Sequence, residues 1–145
     1  MTRASDEAAI REVIGRQAAR LSWSRGSEAD WEGFTNSFFP GAPMIASRRP
    51  AQPQTVASFV ERMKSLAASA LQDFQERALG GEIRVFGNVA VALVAGETLE
   101  NRTEANRDVS GYLLIKDGGQ WMIVAQAWDK EKADLPIPKE MLDPR

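Results

Sequence analysis

Apolar residues recur at helical spacing early in the chain, through Ile10, Val13, Ile14, Ala18 and Leu21, with Gln17 in the same stripe. That spacing predicts a helix from Asp6 to Ser22, capped by Ser5 and carrying Asp6 and Glu7 in its first turn. Arg25-Gly26 ends it. Ser27-x-x-Asp30 then resembles a capping box opening a shorter helix, with Trp31, Phe34 and Phe38 on one face. Pro40-Gly41-Ala42-Pro43 cannot continue a helix, Met44 to Ser47 suits only a brief strand, and a polar loop follows through Pro53. Thr55 caps a third helix with the apolar stripe Val56, Phe59, Val60, Met63 and Leu66.

From Leu71 onward the period changes to two. Gly87-Asn88 is a two-residue turn of the primed kind and predicts Phe86 opposite Val89, Arg84 opposite Val91 and Glu82 opposite Leu93. Gly80-Gly81 predicts a bulge or sharp bend in the first long strand. Val89 to Leu99 is apolar on both faces through Val94, which predicts a central strand packed on each side. A three-residue loop at Asp117-Gly118-Gly119 would set Ile115 opposite Trp121, Tyr112 opposite Val124 and Ser110 opposite Gln126. After Trp128, a proline-spaced tail reads as a segment lying on the surface or on a partner. Helices first and hairpins after define an α+β arrangement, with the helices on one face of a bent antiparallel sheet.

Composition narrows the function more than the fold. A length of 145 residues suits a single domain, with its core at about 5–131 and a tail at 132–145. The net charge of −2 supplies no field for a phosphate backbone, so no nucleic-acid partner is expected. Arg48-Arg49 reads as a solvated turn. No run of residues suits a membrane span and Met1 to Glu12 is polar, so the expectation is no membrane association and a cytoplasmic location. Asn101-Arg102-Thr103 reads as an exposed polar loop. The chain has neither His nor Cys, which excludes thiol catalysis, disulfides, Ser-His dyads and Cys/His metal sites built from one chain. No Ser-x-x-Lys occurs either. No metal and no cofactor is expected, and any proton transfer would fall to Asp, Glu, Lys, Tyr or Arg.

The element order, Trp31-x-x-Phe34 before Phe38-Phe39-Pro40-Gly41-Ala42, and the strand from Asp117 to Val124 resemble the nuclear-transport-factor-2-like (NTF2-like) superfamily. More narrowly, Phe74-Gln75-Glu76-Arg77, Val85 to Ala90 and Trp128-Asp129-Lys130-Glu131 resemble its uncharacterised polyketide-cyclase-like (SnoaL-like) members, over about residues 5–131. The resemblance implies a cone-shaped, strongly curved antiparallel sheet with three N-terminal helices packed on its concave side. It also implies a cavity within the cone and a homodimer through the outer sheet face. Function does not follow from the fold. Scytalone-dehydratase-like chemistry relies on His, absent here, and the steroid-isomerase pattern of a Tyr, a protonated acid and a separate Asp base has no motif to place it on this single tyrosine.

The candidate site is read from side chains that alternate along the hairpins. One face of the second hairpin carries Val109, Gly111, Leu113, Ile115, Trp121, Ile123, Ala125 and Ala127. The other carries Asp108, Ser110, Tyr112, Leu114, Met122, Val124, Gln126 and Trp128, and suits either a cavity wall or a half-exposed sheet. Candidate catalytic residues are Glu76, Asp108 and Tyr112; candidate ligand-binding residues are Trp31, Phe34, Ser110, Gln126 and Trp128. Glu76 is read either as a desolvated acid or base or as half of a strand-tying pair with a cation such as Arg107. Asp108 and Asp73 face the same choice, and Tyr112 either meets a ligand carbonyl or is a strand aromatic with a wet tip. Three functions compete. The first is binding of a small hydrophobic or carbonyl-bearing ligand in a largely apolar cone pocket, with no assigned reaction. The second is a metal-free lyase or isomerase of the polyketide-cyclase type using a carboxylate base, and the third is a dimeric protein-interaction module.

Overall fold

The computed structural model describes residues 2–143. Helix α1 spans Arg3–Arg20, three residues earlier than Asp6, because Thr2 rather than Ser5 is the N-cap. Both residues serve: Thr2 Oγ1 accepts from the Ser5 amide and Ser5 Oγ accepts from the Thr2 amide, a reciprocal box. Asp6 is thereby turned inward. Its carboxylate accepts from Lys116 Nζ at 3.0 Å and Trp121 Nε1 at 3.2 Å, pinning the start of α1 to the far hairpin. The Lys116 hydrogen bond holds the Asp6 carboxyl below its ordinary range.

Helix α2 spans Trp31–Asn36 and is capped by Asp30, whose Oδ1 accepts from the Gly33 amide at 2.9 Å. The predicted box at Ser27 does not form, because Ser27 exchanges backbone hydrogen bonds with Ser24 around Gly26 at φ 84°. Phe38 lies beyond the helix yet is buried, beside a bridge to Ile123. Strand β1 (Pro43–Ile45) is brief, as expected, though it starts and ends earlier than Met44 to Ser47. The predicted loop contains a second short strand, β2 (Pro53–Thr55), paired antiparallel with β1. Backbone pairing at a sheet edge demands no apolar pattern, so nothing in the side chains announced it. Helix α3 (Val56–Ala67) follows, with Thr55 Oγ1 accepting from the Ser58 amide.

Four long strands complete a curved sheet: β3 (Phe74–Phe86), β4 (Val89–Glu100), β5 (Glu104–Asp117) and β6 (Gln120–Lys130). Their order is β2-β1-β6-β5-β4-β3, with only β1 and β6 parallel. The first hairpin has the predicted register at all three pairs, and Gly87 turns it at φ 58°. The predicted bulge is present, with Leu79 and Gly80 opposed by Ala95 alone. A Cβ on Gly81 would collide with the Leu93 carbonyl, and one on Gly80 with the carbonyl of Asp143. Glycine is required here by backbone approach rather than by φ.

The second hairpin departs from expectation. Its turn has two residues, Gly118 and Gly119 at φ 56° and 79°, and β6 carries an extra residue, Val124, where the pairing steps from Leu114–Ile123 to Leu113–Ala125. Tyr112 therefore opposes Gln126, Ser110 opposes Trp128, and Ile115 opposes Met122. The shorter turn places Trp121 and Ile123, expected on the opposite face, in one core with Tyr112 and Leu114, and the bulge reverses the alternation beyond them.

That core joins the inner sheet face to α1, α2 and α3 through Ile10, Ile14, Phe34, Phe59, Val94 and Leu114. The outer face of β4 is bare within this chain at Val91 and Leu93, against the expectation of packing on both sides there: they are 52% and 48% exposed. The tail does pack on the sheet. Ile137 and Met141, the latter on a short 3-10 helix (Lys139–Met141), bury Leu79 and Ala95 beside the bulge. No helix among the described residues is long and apolar enough to cross a membrane.

Candidate functional site

Adjacent strands place inner-face residues in rows, and three rows build one wall. Ala92, Tyr112, Gln126 and Met44 form the deepest; Val94, Ser110 and Trp128 the next; Gly96, Asp108 and Lys130 the outermost. Glu76 joins from β3, one row beyond Gly96, opposite Thr98. Gly96 matters because its missing side chain leaves room over the sheet, where a Cβ would come within 3.2 Å of Asp108 Oδ1. Helices α1, α2 and α3 close the other side with Ile14, Gln17, Leu21, Phe34 and Phe59. The cavity, open at one end, is about 660 Å³, within the range of small-molecule pockets.

At its inner end lies a hydrogen-bonded ring. Gln17 Nε2 donates to Gln126 Oε1 at 2.8 Å, Gln126 Nε2 donates to Ser110 Oγ at 3.2 Å and to Tyr112 Oη at 3.3 Å, and the Tyr112 hydroxyl donates to Gln17 Oε1 at 3.1 Å. The tyrosine's one proton is committed to Gln17, so it is not free to meet a ligand carbonyl. Burial, and then the charge of Glu76, raises the Tyr112 pKa, keeping the phenol protonated.

Glu76 differs. Its backbone amide is satisfied by Ser22 Oγ at 3.0 Å, and among the described residues its hydrogen bonds are made by its backbone alone, leaving the carboxyl of this half-buried residue to the cavity. Arg107, considered as its neutralising partner, instead meets Glu97 at 2.9 Å, and Glu97 also holds Arg77 at 2.8 Å. The strand-tying Glu–Arg pair therefore exists, but at Glu97, whose carboxyl the two guanidiniums hold below its ordinary pKa. Burial pushes Glu76 up from 4.5 to about 8, with the Asp108 charge adding to it. Burial likewise raises Asp108 from 3.8 to about 6, opposed by Lys130. At neutral pH the cavity thus presents a largely uncharged Glu76 beside a largely ionised Asp108. One can donate a hydrogen bond and the other can accept.

Phe34, Glu76, Asp108, Ser110, Tyr112, Gln126 and Trp128 all line this cavity. Trp31 does not. Its indole packs on Trp23 with ring centroids 5.5 Å apart and Lys64 Nζ 6.0 Å away, outside the cavity wall. Phe34 is stacked on Phe59, and Trp128 meets the same ring edge-on. Sequence reasoning missed Gln17 as a lining residue. The available signal was a long amide inside an otherwise apolar helical stripe. Asp73 lies off the cavity, paired with Arg102.

No family model matches the chain, and no curated protein does. Solved structures do match. An NTF2-like protein of unknown function from Pseudomonas putida KT2440 superposes with a TM-score of 0.70 at 12% identity, covering 100% of this chain and 96% of that one. A protein of unknown function with a cystatin-like fold from Nostoc punctiforme PCC 73102 gives 0.70 at 11%, covering 90% and 94%. An NTF2-like protein of unknown function from Silicibacter pomeroyi DSS-3 gives 0.64 at 18%, covering 90% and 100%. The chain has the NTF2-like, cystatin-like fold that its sequence resembled.

Proposed function

We propose that the cavity binds a small, largely apolar molecule bearing a carbonyl, with uncharged Glu76 donating the hydrogen bond that orients it; no reaction is assigned. One observation carries this reading: an unpartnered carboxyl facing a cavity of about 660 Å³. A carboxyl that faces the cavity without a protein partner is open to a ligand acceptor. The narrower polyketide-cyclase-like resemblance is compatible with such a ligand. The lyase or isomerase alternative is less well supported, since the Tyr112 proton is already donated to Gln17.

The test is a calorimetric comparison of indanone with indane, its hydrocarbon counterpart. At neutral pH the ketone is expected to bind roughly tenfold tighter, the worth of about one good hydrogen bond. Equal affinities, or no binding of either, would remove the reading.

The same proposal places a second copy of the chain on the bare sheet face. Val91, Leu93 and Leu113 are exposed there, and Glu82 and Arg84 on one strand allow a two-fold copy to set opposite charges against each other. Sedimentation of the intact protein is expected to show a dimer that Leu93→Glu converts to a folded monomer. A wild-type monomer at high concentration would contradict it.

A further inference from the structure

Three cations stand where the cavity opens. Arg48 on the loop between β1 and β2, Arg62 on α3 and Lys130 at the end of β6 all line the cavity and are all exposed, which places them on its rim. Among the described residues none of the three makes a salt bridge, whereas Arg77, the fourth cation on the lining, is held by Glu97. The nearby Arg49 is also engaged, its Nη1 donating to the carbonyls of Ala46, Ser47 and Arg48. Three unpaired cations converge on one opening in a chain of net charge −2. Their positive field is local and is opposed on the cavity lining by Asp108, which faces Lys130 across the strands, and by Glu76 when it ionises.

We infer that the natural ligand is an amphipathic acid: an apolar, carbonyl-bearing body inside the cavity and a carboxylate reaching the rim formed by Arg48, Arg62 and Lys130. This rests on the reading of the cavity as a binding site and adds the ligand's charge and orientation. An anion at the rim gains from the cations without being taken out of water, so the attraction is not offset by a large desolvation cost. The bound orientation is also fixed, because the reverse pose would bury the carboxylate at the inner end against the Gln17–Gln126–Tyr112 ring, away from the rim cations. Charge at the mouth further concentrates anionic ligands before docking.

The probe is γ-benzoylbutyrate, a phenyl ketone with a carboxylate on a short flexible chain, compared with its uncharged primary amide. The acid is expected to bind about tenfold tighter than the amide at low salt, as suits a few rim ion pairs, and to lose most of that margin at high salt. In the triple variant Arg48→Gln, Arg62→Gln, Lys130→Gln, the acid's affinity is expected to fall to that of the amide. The amide should lose far less than the acid, and the circular dichroism should stay unchanged. If the amide binds and the acid binds no better, the inference is overturned while the cavity reading stands. If neither binds and indanone also fails, both fall together. If the triple variant keeps the acid's advantage, the rim is not the anion site.

Discussion

Phe34→Ala is expected to lower stability by about 3–4 kcal/mol, the usual range for removing a fully buried aromatic ring. Phe34 is 1% exposed and touches two further rings, with centroids 5.3 Å from Phe38 and 5.6 Å from Phe59. Its removal takes away the contact between α2 and α3 as well as apolar burial. The ring also forms part of the cavity wall, so the space it leaves joins the existing cavity of about 660 Å³. Two readouts are therefore coupled. Chemical denaturation should show the lost stability with little change in slope, and the variant should accept ligands bulkier than indanone. Phe34→Leu, which keeps most of the apolar volume, should recover more than half of the stability. A loss below about 1 kcal/mol for the alanine variant would mean that the ring is not the packing element described here.

Glu76→Gln is expected to stabilise the protein, and by more as pH rises. The native Glu76 pKa of about 8 stands above its ordinary 4.5, so between these values the native state holds a proton that the unfolded chain has released. The group's favourable contribution is complete below 4.5 and is lost as pH climbs through about 8. Asp108 contributes in the same direction between 3.8 and about 6. Each pKa unit corresponds to ~1.4 kcal/mol, and relaxation and water entry reduce the realised amount to about 2 kcal/mol for Glu76 by pH ~9. Glutamine has the same shape and no charge to bury. Melting temperatures of wild type and Glu76→Gln should nearly coincide near pH ~4 and separate by roughly 5 °C or more near pH ~9. Parallel curves across that range would mean that the Glu76 carboxylate is solvated after all.

These two residues also show how much of the molecule could be read in advance. Turn chemistry is local, so Gly87-Asn88 gave the first hairpin its register, and paired glycines marked the bulge at Gly80-Gly81. The bulge at Val124 carries no such mark. A two-residue turn at Gly118-Gly119, in place of a three-residue loop, sets Trp121 and Ile123 on the inner face, and a valine at the bulge shifts the register again beyond them. Strand β2 escaped for a related reason: its pairing is purely backbone. At the helix start, Thr2 and Ser5 can each cap, and only their reciprocal hydrogen bonds decide which one does.

The candidate site was legible where strand alternation alone fixes direction. Asp108, Ser110 and Tyr112 alternate along β5 and share the cavity face, and Gln126 and Trp128 oppose two of them. Trp31 was misplaced because a helical stripe does not distinguish core from cavity, and its indole went to Trp23. The partner of Arg107 could not be read either. Arg107 on β5 lies directly opposite Glu97 on β4, whereas Glu76 is on β3, two strands away and on the inner face. That placement left Glu76 to the cavity.

The ligand proposed for this protein turns on the Glu76 carboxyl in the cavity. The most direct measurement is the affinity for indanone followed from about pH 6 to pH 10 in wild type and in Glu76→Gln. Wild-type affinity should be level at low pH and fall about tenfold in all, to the level of indane, as pH rises through about 8 and the donor proton is lost. Glu76→Gln, which keeps an N–H donor at the same place, should bind with no such fall. A wild-type profile that stays level through about pH 10, or the same decline in the glutamine variant, would contradict the account.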